Sequence, residues 1–127
     1  MFKFFFPYLK IFFYISNFIL IVLYLFPGSI LGWFIYGNPA LQPQITSDFI
    51  VSSNHVYAFL ILSFVGFFTY KKIEQLKFLS FYLIFLSIIL EILHHFIPER
   101  SFQFTDLFGN LVGVIIVIII FYLFKKK

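Results

Sequence analysis

Long apolar runs separated by short polar or proline-bearing segments set the pattern of this chain. The first run extends from about Ile11 to Phe26, starting as early as Pro7, and Pro27-Gly28 ends or kinks it. Apolar residues resume over Ile30–Tyr36, and a polar loop with prolines, Asn38–Asp48, follows. The second run, His55 to Tyr70, leads into Lys71-Lys72-Ile73-Glu74-Gln75-Leu76-Lys77, which reads as a tight basic turn. The third runs from about Phe78 to Ile97 and stops at Pro98; the fourth runs from about Thr105 to Phe124. About 20 apolar residues make one membrane-crossing helix. The pattern therefore predicts an all-α integral membrane bundle of four transmembrane helices, forming one domain over residues 1–127. The first run has lysines ahead of it, as a signal peptide does, but no small-x-small cleavage site follows, so it is read as an uncleaved span.

Composition supports this class. Hydrophobic residues make up 62% of the chain and charged ones 11%, too few to coat a soluble domain. Cysteine is absent, which excludes disulfides and thiolate metal sites. The net charge of +4 does not point to nucleic acid, because the lysines sit in short flanks between apolar runs. Lys3 and Lys10 precede the first span, Lys71, Lys72 and Lys77 join the second and third, and Lys125, Lys126 and Lys127 end the chain. Arg100 is the only basic residue on the other side. Positive residues favour the cytosolic side, so both termini are expected there, in a multi-pass protein of the cytoplasmic (inner) membrane.

That orientation gathers the polar residues. His55 opens the second span at its outer end, Glu91, His94 and His95 lie in the last turns of the third, and Arg100 is in the outer loop. Asp106 and Asn110 lie in the first turns of the fourth. Ionisable groups are costly inside a membrane and are functional candidates by default. A helix rises 1.5 Å per residue, which puts Glu91 roughly 9 Å below Ile97 and Asn110 roughly 8 Å inside Thr105. The two meet at similar depth if these helices form an antiparallel hairpin. Asp106, Asn110 and Gly113 share one helical face, as Glu91 does with His94 and His95. Gly109 and Gly113 form a G-x-x-x-G pair that permits close helix packing. The first span carries Ser16 and Asn17 as its interior polar residues and is assigned no role beyond anchoring.

Each polar residue taken singly also has a structural account. Arg100 could snorkel or pair with Glu99 and Asp106. Asp106 could favour the helix dipole with Thr105 or Ser101 as cap, and Asn110 could bond between helices. Glu91, the deepest, is hardest to explain by packing.

Taken together, Glu91-x-x-His94, Pro98-x-Arg100-Ser101 and Asp106-x-x-x-Asn110-x-x-Gly113 resemble the signature of the VanZ-like family, with His55 matching an earlier histidine. That family's pattern is roughly E-x-x-Q, P-x-R, D-x-x-x-N-x-x-G, so His94 stands where glutamine is usual. Val51 stands where an acidic residue is usual; Asp48 is nearby but out of register. The resemblance covers residues 51–116 and implies a membrane protein of the cell envelope, linked to tolerance of the glycopeptide teicoplanin. It brings no established reaction.

Three functions compete. The leading one is a non-enzymatic envelope protein that engages an outer-leaflet lipid or lipid-linked envelope precursor through His55, Glu91, His94, Arg100, Asp106 and Asn110, with Arg100 gripping a phosphate or carboxylate. The second is an intramembrane enzyme acting on a lipid phosphate or ester, with His55, His94 and Glu91 as catalytic candidates. The third is a metal site of Glu91 and His95 with His55 and Asp106, whose ligand chemistry zinc accepts; its spacing matches no recognised zinc motif, and no metal is assigned. No cofactor is expected, since glycine-rich phosphate loops are missing. A transporter has little room for a pathway unless the protein oligomerises, and oligomerisation stays open.

Overall fold

The computed structural model describes residues 2–125. Lys126 and Lys127, which the lysine distribution assigns to the cytosol, lie outside the described residues, as do the side chains of Lys3 and Lys125. The protein is all-helical: α1 (Phe2–Leu25), α2 (Ile30–Tyr36), α3 (Ser53–Thr69), α4 (Ile73–Leu93) and α5 (Phe104–Lys125), with a 3₁₀ turn at His94–Phe96. Among the described residues there is no strand. In lipid a backbone must satisfy its own polar groups, and a continuous helix does so.

Three segments are long and apolar enough to cross a membrane: Pro7–Leu25, Ile73–Phe96 and Phe104–Phe124. Apolar α3 has 17 residues, so it reaches about 25 Å at 1.5 Å per residue. That falls short of a hydrocarbon core about 30 Å thick.

Two boundaries differ from the sequence expectation. The supposed basic turn is mostly helix, because α4 starts at Ile73 and takes in Glu74, Gln75, Leu76 and Lys77. These are good helix formers, and a hydropathy pattern cannot register them. The stretch Ile30–Tyr36 is a short helix of its own. Ser29 accepts the Gly32 N–H at 2.9 Å at its start, and Gly37 closes it in the left-handed conformation at φ 66°.

The long helices alternate in direction. α3 packs most extensively on α5 and next on α1, while α4 lies chiefly against α5. Phe59, Leu62, Leu83, Val114 and Val117 form the fully buried centre. Outward, Phe18, Phe81, Phe85 and Leu123 are each more than 60% exposed. A contiguous apolar exterior of this kind needs lipid to cover it. At one end, Thr69 donates to the Leu9 carbonyl at 3.3 Å, and nearer mid-length Tyr82 donates to Asn17 Oδ1 at 2.7 Å. The opposite end collects the C-termini of α1 and α4 and the N-termini of α3 and α5. The polar residues meet there.

Candidate functional site

Gly109 and Gly113 let α5 approach α3 closely enough to build the site. A Cβ on Gly113 would stand 2.6 Å from the Val56 carbonyl oxygen and 2.9 Å from the Leu60 nitrogen. At Gly109 it would meet the Ser52 carbonyl oxygen at 2.8 Å and His55 Cβ at 3.1 Å. Backbone-to-backbone contact brings Asn110 against His55, one helix across. Ser52 N–H also donates to the Thr105 carbonyl at 3.1 Å, fastening the two helix starts together.

Asn110 is the hub, and it is fully buried. Its Nδ2 donates to the Ser87 carbonyl on α4 at 3.0 Å, which fixes the amide so that Oδ1 faces α1 and α3. Oδ1 accepts from the Tyr24 hydroxyl at 2.7 Å and lies 2.9 Å from His55 Nδ1. Oδ1 can only accept, so the hydrogen of His55 lies on Nδ1, with the Tyr24 hydroxyl 3.1 Å from the same nitrogen. Nε2 then carries the lone pair, 3.8 Å from Asp106 Oδ2.

Glu91 and His94 form the second half. Both are buried, Glu91 completely. Glu91 Oε1 accepts the Gln103 N–H at 3.1 Å, just before α5, where a carboxylate also favours the positive end of the helix dipole. Oε2 lies 3.3 Å from His94 Nδ1 and 3.9 Å from His55 Nδ1, yet it has no hydrogen-bond donor. His94 Nε2 sits 2.9 Å from the Tyr24 carbonyl, which can only accept, so Nε2 carries the hydrogen. The Tyr24 ring stacks on the His94 imidazole at 5.5 Å and meets the His55 imidazole edge-on at 5.0 Å.

The side chains singled out from sequence therefore separate by task. His55, Glu91, His94, Asp106 and Asn110 come together. His95 is exposed, and the candidate ligand group among the described residues, His55, Glu91 and Asp106, does not include it. Arg100 sits beside the cluster with a different set of partners. Its Nε donates to the Phe26 carbonyl at 3.1 Å, and Nη2 donates to Leu23 at 2.9 Å and Gly28 at 2.6 Å. It caps the C-terminus of α1, where the last carbonyls lack helical partners, and its bonds do not go to Glu99 or Asp106. Glu99, with φ 66°, makes the turn that aims it. Burial lowers the affinity of the Arg100 guanidinium for its proton, while Tyr24, Glu91 and Asp106 raise it. Asp48, out of register with the family pattern, accepts from the Ser53 N–H at 3.1 Å at the start of α3.

Glu91 owes its burial to cover more than to depth. α4 ends at Leu93, so Glu91 lies in the last helical turn, and Gln103 and the end of α1 close over it. The first helix is no mere anchor either: Tyr24 contributes a hydroxyl, a ring and a carbonyl to the site.

A cavity of about 600 Å³ opens against this cluster. Tyr24, His55, Arg100 and Asp106 form its polar side, and Leu31, Ile35 and Ile61 line its apolar side. A second cavity, about 530 Å³, lies between α1 and α4 near Tyr70 and Phe78 and is almost wholly apolar, away from the clustered chemistry. No family model, curated protein or solved structure matches the chain.

Proposed function

We propose that the protein is a VanZ-like, four-span envelope protein of the cytoplasmic membrane, with both termini in the cytosol, that holds an outer-leaflet lipid or lipid-linked precursor. α3 serves as the fourth span, and the clustered end of the bundle faces outward, away from the lysine-bearing segments. The observation that carries this reading is the two-sided cavity. His55, Asp106 and Arg100 offer charge and hydrogen bonds to a headgroup, and Leu31, Ile35 and Ile61 offer a surface to an acyl or prenyl chain. Arg100 has already committed two of its nitrogens to α1, so its grip on an anion rests on Nη1 and its charge.

Lipid extracted from the purified protein tests this. One lipid class should be enriched over the bulk membrane, and enrichment should fall in Ile61→Trp, which fills the apolar side, and in His55→Ala. Bulk-like lipid in the wild type would refute the reading. The teicoplanin link adds a cellular test: deletion should change susceptibility to envelope-directed antibiotics.

A second reading has one observation in its favour. His55 lines the cavity with its Nε2 lone pair near Asp106, an arrangement suited to a general base acting on a lipid phosphate or ester. Phosphate or acid release by purified protein, abolished in His55→Ala, would promote it over simple binding.

A further inference from the structure

We infer that His55, Glu91 and Asp106 form a binding site for one divalent transition-metal ion of the zinc type. One ligand atom from each lies within 4.8 Å of the other two, and the three residues come from α3, α4 and α5. This inference stands whether or not a lipid occupies the adjacent cavity.

Three separate features point to a cation. The first is Glu91 Oε2, a carboxylate oxygen with no donor in a residue that has no exposed surface. A buried carboxylate oxygen without a donor is expensive, and natural interiors rarely leave one so. The second is the neighbour it faces. His94 spends its Nε2 hydrogen on the Tyr24 carbonyl, so a neutral ring turns the Nδ1 lone pair toward Oε2 at 3.3 Å. Two acceptors face each other, and a positive charge, either a proton or a metal ion, belongs beside them. The third is His55, whose Nδ1 hydrogen goes to Asn110 and whose Nε2 lone pair is left toward Asp106. Histidine ligands characteristically donate the other ring N–H to a fixed acceptor, and Asn110, itself locked by Ser87 and Tyr24, provides one.

The donor set decides the metal class. One imidazole and two carboxylates, with no thiolate, suit borderline ions such as zinc, with iron or manganese as relatives. Zinc bonds to nitrogen and oxygen of about 2.0–2.2 Å place tetrahedral ligands about 3.3 Å apart. The pairs at 3.8 Å and the 4.8 Å limit ask for a contraction of roughly 0.5–1.5 Å, within the reach of side-chain rotation. Three protein ligands leave a fourth position for water or a headgroup oxygen, since His55 and Asp106 also line the cavity.

The full chain, purified in detergent with an affinity tag free of histidine and without chelator, should be loaded with zinc, desalted and analysed for metal. About one zinc per chain is expected, as for a site of three protein ligands. Cobalt should replace it and give visible absorption bands. Asp106→Asn, which keeps the size of the side chain beside its Ser52 partner at the start of α3 and removes the charge, and Glu91→Gln should each lower retention at least tenfold, while His95→Ala leaves it unchanged. Helical circular dichroism and gel filtration identify variants that stay folded. The inference is overturned if the wild type retains no stoichiometric metal, in which case a proton serves Glu91 and His94. It is overturned equally if folded Asp106→Asn retains zinc like the wild type.

Discussion

Arg100 illustrates how one side chain can look like a ligand clamp and work as a joint. Its three bonds go to Leu23, Phe26 and Gly28, carbonyls that α1 cannot serve for itself. Arg100→Ala should cost about 2–4 kcal/mol, since charged hydrogen bonds are each worth about 1.5–3 kcal/mol and partial hydration recovers some of the loss. Arg100→Lys should recover only part of this, because one ammonium cannot reproduce the planar fork that spans three acceptors. Unfolding of the detergent-solubilised protein by dodecyl sulfate measures both. If the two variants are as stable as the wild type, the cap contributes nothing and Arg100 is released for ligand binding alone.

At the scale of elements, the α3–α5 contact sets the positions of the clustered polar side chains. A methyl group on Gly113 meets backbone atoms of Val56 and Leu60, which cannot rotate away. Gly113→Ala should therefore destabilise by about 1–3 kcal/mol, the usual cost of overpacking, seen as a lower dodecyl sulfate midpoint. Gly109→Ala presses on the Ser52 backbone and on His55 Cβ, so it should both destabilise the fold and displace His55, lowering zinc retention as well. This contact was half legible in the sequence. The G-x-x-x-G spacing and the shared face of Asp106, Asn110 and Gly113 follow from helical periodicity, and Glu91 with His94 follows in the same way. Periodicity does not name the partner helix, so the hairpin with the third span was the natural expectation, whereas α3 is the closer neighbour. Tyr24 was harder to find. It bonds to a residue 86 positions away, and within the first run nothing in its type separates it from Tyr8 or Tyr14, which are exposed. The available signal was spacing: Phe13, Asn17, Leu20 and Tyr24 lie on one helical face, and Asn17 and Tyr24 are its polar members.

For the whole molecule, the question is whether α3 crosses together with its neighbours. Its 17 residues are short, but its first turn meets Asp106 at one end of the bundle and Thr69 meets Leu9 at the other. If α1 and α5 cross the membrane, α3 is carried through the same slab. If α3 spans, its shortfall of about 5 Å against a core of about 30 Å calls for local thinning of the bilayer or for a contribution from Tyr70, which leaves the helix in an extended conformation. The absence of cysteine makes this testable without background, since any introduced thiol is the only one. His95→Cys and Gln75→Cys place exposed thiols at opposite ends of α4 and its 3₁₀ extension. A membrane-impermeant maleimide should label the first in intact cells and the second only after permeabilisation. Ser53→Cys should behave like His95→Cys, and Lys72→Cys like Gln75→Cys, because α3 runs antiparallel to α4. If Ser53→Cys and Lys72→Cys react from the same side, α3 does not span, and the polar cluster cannot be a pocket at the outer face.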